Sequence, residues 1–133
     1  MTRPDGTAFE FAAHDISFNE DETRIFAGAL GSQGHDLNHG IEPFPPSAEY
    51  LGPDGGGVYI LDNSDIVEGS PSPKLRLVGT AEHAGWHSPV SANIDGVPYI
   101  VSGGELGACP GAWPKITDIS DEANPVLAGE FKL

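Results

Sequence analysis

The sequence has little cysteine, little positive charge and no long apolar run. The single cysteine, Cys109, excludes an intrachain disulfide and a cysteine-based zinc knuckle. Six Lys and Arg residues stand against twenty Asp and Glu residues, so the formal net charge is −14. A field of this sign repels phosphate backbones, and we therefore expect no nucleic-acid partner. No segment reaches the roughly 18 apolar residues that predict a membrane span, and the N-terminus lacks a signal-peptide core, so we expect no membrane insertion.

Glycine and proline, in contrast, are abundant. The chain of 133 residues contains 18 Gly and 12 Pro, a composition that favours many short elements over long helices. Eight short runs rich in β-branched or aromatic residues are bounded by turn-forming residues, and no segment convincingly predicts a helix. The sequence therefore predicts an all-β fold. The eight predicted strands are HDISF, RIFAGAL, GVYILD, KLRLVGT, SPVSANI, VPYIVSG, PKITDIS and PVLAGEF.

The strand pattern occurs twice. HDISFNEDETRIFAGALG is similar to HSPVSANIDGVPYIVSGGE, which makes His14 equivalent to His87 and Gly28 equivalent to Gly103. VYILDNSDI is similar to PKITDISDE, so that Asp62 corresponds to Asp118. Leu77-Val78-Gly79 corresponds in the same way to Leu127-Ala128-Gly129. The chain is therefore predicted to contain two copies of one four-stranded unit.

These copies define the predicted organisation. Residues 1–12 form an N-terminal strand or tail, residues 13–82 form the first unit with a long loop insertion at 31–57, and residues 83–133 form the second unit. A repeated four-stranded antiparallel meander is typical of β-propeller blades, because one such sheet needs neighbours to cover its two apolar faces. The sequence thus predicts two propeller blades.

The pattern of ITDISDEANPVLAGEF, and more loosely ILDNSDIVEGSPSPKLRLVGT, resembles the LVIVD-repeat β-propellers. The segments opening with HDI and WHSPVSANIDGVPYIVSGG are similar to blade-starting and blade-joining segments of secreted bacterial members. The resemblance implies an extracellular or cell-surface location. A closed propeller has roughly 4–8 blades. We therefore expect the two blades to associate with copies of the same chain, in a closing oligomer, or with further blades of a longer chain.

Two groups of histidines are candidate metal ligands. His14 and His87 are equivalent in the repeat and begin the strand that lines a propeller channel, where they could bind a transition metal such as copper or zinc. The alternative is a structural latch, in which each imidazole hydrogen-bonds the backbone of a neighbouring blade. His83 and His87 lie four apart in a predicted extended segment, about 13 Å from each other, which is too far to share an ion.

The second group lies in the long loop. His35, Asp36 and His39 in GHDLNHG could meet at one zinc or copper ion if the loop folds back on itself. The alternative is a loop without a ligand. The acidic turns DNSD and SDE lack the spacing of a calcium-binding loop, and we expect their Asp and Ser side chains to cap backbone N–H groups instead.

Three functions follow from these patterns. The first is a binding or interaction module that recognises a small-molecule, glycan or protein ligand at the channel mouth, with Trp86, Trp113 and Glu105 as candidate ligand-binding residues. The second is a metal-dependent propeller enzyme, an oxidoreductase or hydrolase, with a histidine-lined site. The third is a sugar-binding lectin in which Trp86, Trp113 and Tyr50 stack on a pyranose. No nucleophile motif is present, so the sequence leaves open whether a reaction is catalysed.

Overall fold

The computed structural model describes residues 13–29, 57–82, 84, 87–103 and 113–131, and these residues form an all-β structure with almost no helix. Each of two four-stranded antiparallel sheets is a meander in which every strand pairs with the next one in the chain. Sheet 1 contains β1 (Ala13–Phe18), β2 (Arg24–Ala29), β3 (Gly57–Asp62) and β4 (Arg76–Ala81). Sheet 2 contains β5 (His87–Ile94), β6 (Val97–Gly103), β7 (Lys115–Asp118) and β8 (Val126–Glu130). All eight predicted strands are confirmed.

One difference from the sequence prediction lies between β3 and β4. A single helical turn, α1 (Ser64–Val67), occupies the segment predicted as a plain acidic turn. Asp62 begins this connection by accepting a hydrogen bond from the backbone N–H of Ser64 at 3.0 Å. After this single helical turn the chain continues to β4.

The two sheets share their irregularities, as the repeat predicts. A register shift between Ile60 and Leu61 in β3 corresponds to a shift between Ile116 and Thr117 in β7. Asp118 accepts a hydrogen bond from the Ser120 N–H at 2.8 Å, as Asp62 does from Ser64. Since a β-bulge re-aims side chains and increases local twist, the same bulge at the same place gives the two sheets a similar shape. The acids of both turns cap backbone N–H groups.

The main core lies between the sheets. Phe26, Val58 and Ile60 point from sheet 1 toward sheet 2, and they pack with Ile100 and Ile119 of sheet 2. Alternate residues of the same strands form a second buried cluster on the opposite face of sheet 1, comprising Ala27, Ala29, Tyr59 and Leu61. β3 is therefore apolar on both faces, which explains why its sequence shows a continuous apolar run without polar alternation.

The first strands of the two sheets run side by side in the same direction. The Ser88 N–H donates to Asp15, and three residues later in both strands the Ser91 hydroxyl donates to the carbonyl of Phe18 at 3.0 Å. Each pair is separated by 73 residues along the chain, the offset that relates His14 to His87 in the repeat. Equivalent positions of β1 and β5 therefore lie next to each other, as adjacent inner strands of a propeller do.

Away from the contact between Asp15 and Ser88, a close backbone approach and an ion pair also join sheet 1 to sheet 2. The turn before β8 lies on Gly79 of β4, so closely that a Cβ there would collide with the carbonyl oxygen of Glu122. The Glu122 carboxylate accepts a hydrogen bond from the Arg24 guanidinium at 2.8 Å, and Arg24 also contacts Asp62 at 3.3 Å. Gly79 is thus required by packing between the sheets.

No closed ring is formed by the part of the chain that the structure describes, so the assignment of the two sheets as propeller blades stays a prediction. The same residues include no helix with the length and apolar character that crossing a membrane requires. The architecture shown is two stacked antiparallel sheets with one shared core.

The glycines at equivalent positions of β4 and β8 provide a matched test of this packing. We expect Gly79→Ala to lower the free energy of unfolding by roughly 1–3 kcal/mol, because the new methyl group must displace backbone. Gly129→Ala should change it by at most about 0.5 kcal/mol, since a Cβ at Gly129 meets nothing within 4 Å. Urea denaturation of both variants measures the difference. Equal effects of the two substitutions would contradict the observed packing.

Candidate metal centre

Three potential metal ligands meet where the first strands of the two sheets begin. His14 and Asp15 belong to β1, and His87 belongs to β5. Each residue offers one ligand atom, and the three atoms all lie within 4.8 Å of one another. The centroids of the two imidazole rings are 4.9 Å apart, with the ring planes tilted by 51°. The cluster therefore draws its ligands from both sheets.

Backbone irregularities at the strand ends position these groups. Register shifts occur between Ala13 and Asp15 in β1 and between His87 and Val90 in β5. Ser88 lies inside the second shift and adopts a φ of +48°, in the left-handed region that serine rarely occupies. Because of this conformation the Ser88 N–H leaves the ladder of its own sheet and donates to Asp15 Oδ2 at 2.8 Å.

Asp15 Oδ2 is the common acceptor of the cluster. It lies 2.9 Å from His14 Nδ1 and 3.3 Å from the Ser88 hydroxyl oxygen, which donates to it. The hydrogen bond with His14, followed by that from the Ser88 N–H, holds the pKa of Asp15 below its usual value of 3.8. The carboxylate is therefore ionised at neutral pH and carries the negative charge that a cation requires.

Two imidazoles and a carboxylate form a donor set suited to zinc or copper. A tetrahedral ion with bonds of about 2.1 Å places its ligand atoms about 3.4 Å from one another. The distance from His87 Nε2 to Asp15 Oδ2 is 3.9 Å, and that from His14 Nδ1 is 2.9 Å. These two distances bracket the tetrahedral spacing, and all three side chains are partly exposed.

The arrangement differs from a catalytic Ser-His-Asp triad. The Ser88 hydroxyl contacts His87 Nδ1 at 3.1 Å, but it also donates directly to Asp15. Asp15 lies 3.9 Å from His87 Nε2, beyond hydrogen-bonding distance, and so does not orient that imidazole as the third member of a triad does. The geometry favours cation binding over nucleophilic catalysis.

The structure brings together His14 and His87, as the repeat alignment predicted from sequence. It also shows a link between the sheets at this point, made by Asp15 with Ser88. Sequence reasoning missed Asp15 and Ser88, although each directly follows one of the two equivalent histidines. The sequence did contain a signal for both residues. Because His14 and His87 are equivalent in the repeat, Asp15 and Ser88, which directly follow them, are equivalent as well.

The structure describes one of the other predicted site residues. Trp113 is half-buried and immediately precedes Pro114 and β7. The remaining candidates lie outside the described residues, so their roles stay predictions. They are His35, Asp36, His39, Tyr50, His83, Trp86, Glu105 and Cys109.

Comparison with protein-family models and with curated proteins found no match for this chain. The resemblance to LVIVD-repeat propellers therefore stays a prediction made from the sequence pattern.

The ionised carboxylate predicts a pH dependence of stability. Because the pKa of Asp15 is lower in the folded chain than its ordinary value of 3.8, its hydrogen bonds stabilise the fold fully above that value, and this contribution is lost as the pH falls through the lowered pKa. We expect the difference in free energy of unfolding between the wild type and Asp15→Asn to shrink as the pH falls from about 4 toward 2. Urea denaturation across this range measures it.

Glu20→Gln is the control, since Glu20 is an exposed carboxyl in the turn between β1 and β2. Its effect on the free energy of unfolding should be smaller than that of Asp15→Asn, because Glu20 takes no part in the described hydrogen bonds between β1 and β5. A difference for Asp15→Asn that is independent of pH would show that the carboxylate charge does not stabilise the junction between the sheets.

Proposed function

We propose that this chain is a metal-binding module of two propeller-type blades and that it holds a zinc or copper ion at His14, Asp15 and His87. The observation that carries this proposal is the convergence of two imidazoles and a carboxylate, with ligand atoms within 4.8 Å of one another, from two different sheets. Such residue types at this spacing match the donor set of zinc and copper sites.

The position of the cluster supports a role in binding. Its ligands lie at the beginning of β1 and β5, the strands that run side by side and would line the channel of a propeller. Three protein ligands leave one position of a tetrahedral ion for an exogenous group. An ion held here could thus recognise a small anionic or oxygen-bearing ligand at the channel mouth.

Three features support the propeller-type description: the meander of each sheet, the shared bulges and the parallel course of the first strands. The proposal includes the LVIVD-repeat resemblance and the extracellular or cell-surface location that it implies. The metal-dependent enzyme and the sugar-binding lectin stay predictions, because their additional candidate residues lie largely outside the described part of the chain.

Zinc titration by isothermal calorimetry, with native mass spectrometry for stoichiometry, tests the proposal. The wild-type chain should bind one ion at this cluster, and His14→Ala and His87→Ala should each abolish that binding. Asp15→Asn should weaken it by a factor of about 10–100, because the neutral amide is a poorer ligand than a carboxylate. Zinc should also raise the thermal unfolding temperature of the wild type, since it binds the folded state through both sheets.

The double variant His35→Ala/His39→Ala is the matched control, because it removes two imidazoles elsewhere in the chain and should leave this ion in place. Circular dichroism verifies that each variant folds. Unchanged zinc binding in His14→Ala and His87→Ala, together with a lower unfolding temperature, would refute the metal site and indicate that the histidines serve as a structural latch. Loss of zinc binding only in the control variant would indicate that the ion binds at His35 and His39 in the predicted long loop instead.

A further inference from the structure

Ser88 contacts two of the three candidate metal ligands. Its hydroxyl oxygen lies 3.1 Å from Nδ1 of His87, on its own strand, and 3.3 Å from Oδ2 of Asp15, on β1. Its backbone N–H donates to the same carboxylate oxygen at 2.8 Å. Ser88 therefore links the imidazole of one sheet to the carboxylate of the other.

The protons available to these groups determine the direction of the hydrogen bonds. A serine hydroxyl has one proton to donate and lone pairs that accept. An ionised carboxylate can only accept and is the stronger acceptor, so the hydroxyl proton is directed to Asp15. The hydroxyl oxygen is then the acceptor toward His87, and this hydrogen bond requires the imidazole proton to be on Nδ1.

This tautomer prepares the other ring nitrogen of His87 for a cation. With the proton on Nδ1, Nε2 of the neutral ring carries the lone pair that binding to a metal requires. Nε2 is also the nitrogen that lies 3.9 Å from Asp15 Oδ2 in the ligand cluster. We infer that Ser88 is a positioning residue of the metal centre, which selects the His87 tautomer that binds through Nε2. This inference rests on the metal site proposed above.

Ser91 provides an internal comparison, because it joins the same two strands. Its hydroxyl donates to the carbonyl of Phe18 at 3.0 Å, so it acts on the main chain of β1. A hydrogen bond of this kind holds β5 beside β1 but places no requirement on the proton of an imidazole. The two serines thus separate a role in joining the sheets from a role in setting the His87 tautomer.

Long-range proton–nitrogen NMR correlation spectra of the metal-free chain report the tautomer of each imidazole. At about pH 8.5, where histidine in model peptides is neutral, we expect His87 to carry its proton on Nδ1. Ser88→Gly should shift the population toward the Nε2–H form, which neutral histidine prefers in water. Glycine keeps the N–H that donates to Asp15 and readily adopts the positive φ, so this variant removes only the hydroxyl. The spectrum of His87→Ala identifies the His87 signals.

The same variant should weaken zinc binding, as measured by calorimetry. We expect Ser88→Gly to raise the dissociation constant by roughly 10-fold, because losing the hydrogen-bond partner of a metal-binding imidazole typically lowers affinity by about 10–100-fold. The lower end of that range applies since Ser88 is exposed, and water replaces the lost hydroxyl in part.

Ser91→Ala is the matched control, and it should change neither the His87 tautomer nor the zinc affinity. A wild-type His87 with its proton on Nε2, or a tautomer that Ser88→Gly leaves unchanged, would overturn the role of Ser88 even if the wild type binds zinc. Equal weakening of zinc binding by the two variants would also overturn it and would indicate a general loosening between β1 and β5. A wild type that binds no zinc would instead refute the metal site itself, and the inference with it.

Discussion

The structure depends on one constraint. A four-stranded sheet whose central strand has an apolar residue at nearly every position must bury both of its faces. β3 carries Val58 and Ile60 on one face and Tyr59 and Leu61 on the other, and all four side chains are buried. Packing sheet 2 against the first of these faces removes Phe26 and Ile60 from water together with Ile100. Hydrophobic burial of this kind is the dominant favourable contribution to folding.

The candidate metal centre is a consequence of that packing. Stacking the sheets brings β1 beside β5 in the same direction, and equivalent residues of the repeat then become spatial neighbours. In these two strands, a residue type present at the same position of both copies is therefore brought close to its equivalent. A histidine at the start of each first strand thus yields two imidazoles with centroids 4.9 Å apart. Asp15 adds the charge, and its hydrogen bond from Ser88 fixes the carboxylate between the sheets.

The two ends of the junction are held by different polar contacts. At one end Asp15 accepts from Ser88, and at the other Arg24 pairs with Glu122 while the backbone of the same turn lies on Gly79. These contacts are partly exposed, so they contribute less to stability than the core between them, but they set the relative position of the sheets. The ligand set requires that position, because its members come from separate sheets.

Much of this could be predicted from residues alone. Short β-branched runs with turn residues between them determined the eight strands, and similarity between the two halves determined the repeat and the equivalence of His14 with His87. These features are local or periodic, and the physical preferences behind them act over a few residues. The continuous apolar run VYIL in β3 is also visible in the sequence and is typical of a strand that is covered on both faces.

Only the tertiary structure decided that Asp15 belongs with the two histidines. That outcome depends on the bulge at His87 and on the positive φ of Ser88, which together direct one N–H out of its ladder and across to the other sheet. The tertiary structure likewise decided that the Glu122 carboxylate accepts a hydrogen bond from Arg24, which lies 98 residues earlier in the chain. Sequence patterns report which face of a strand a residue lies on, whereas contacts between sheets depend on how two twisted surfaces meet.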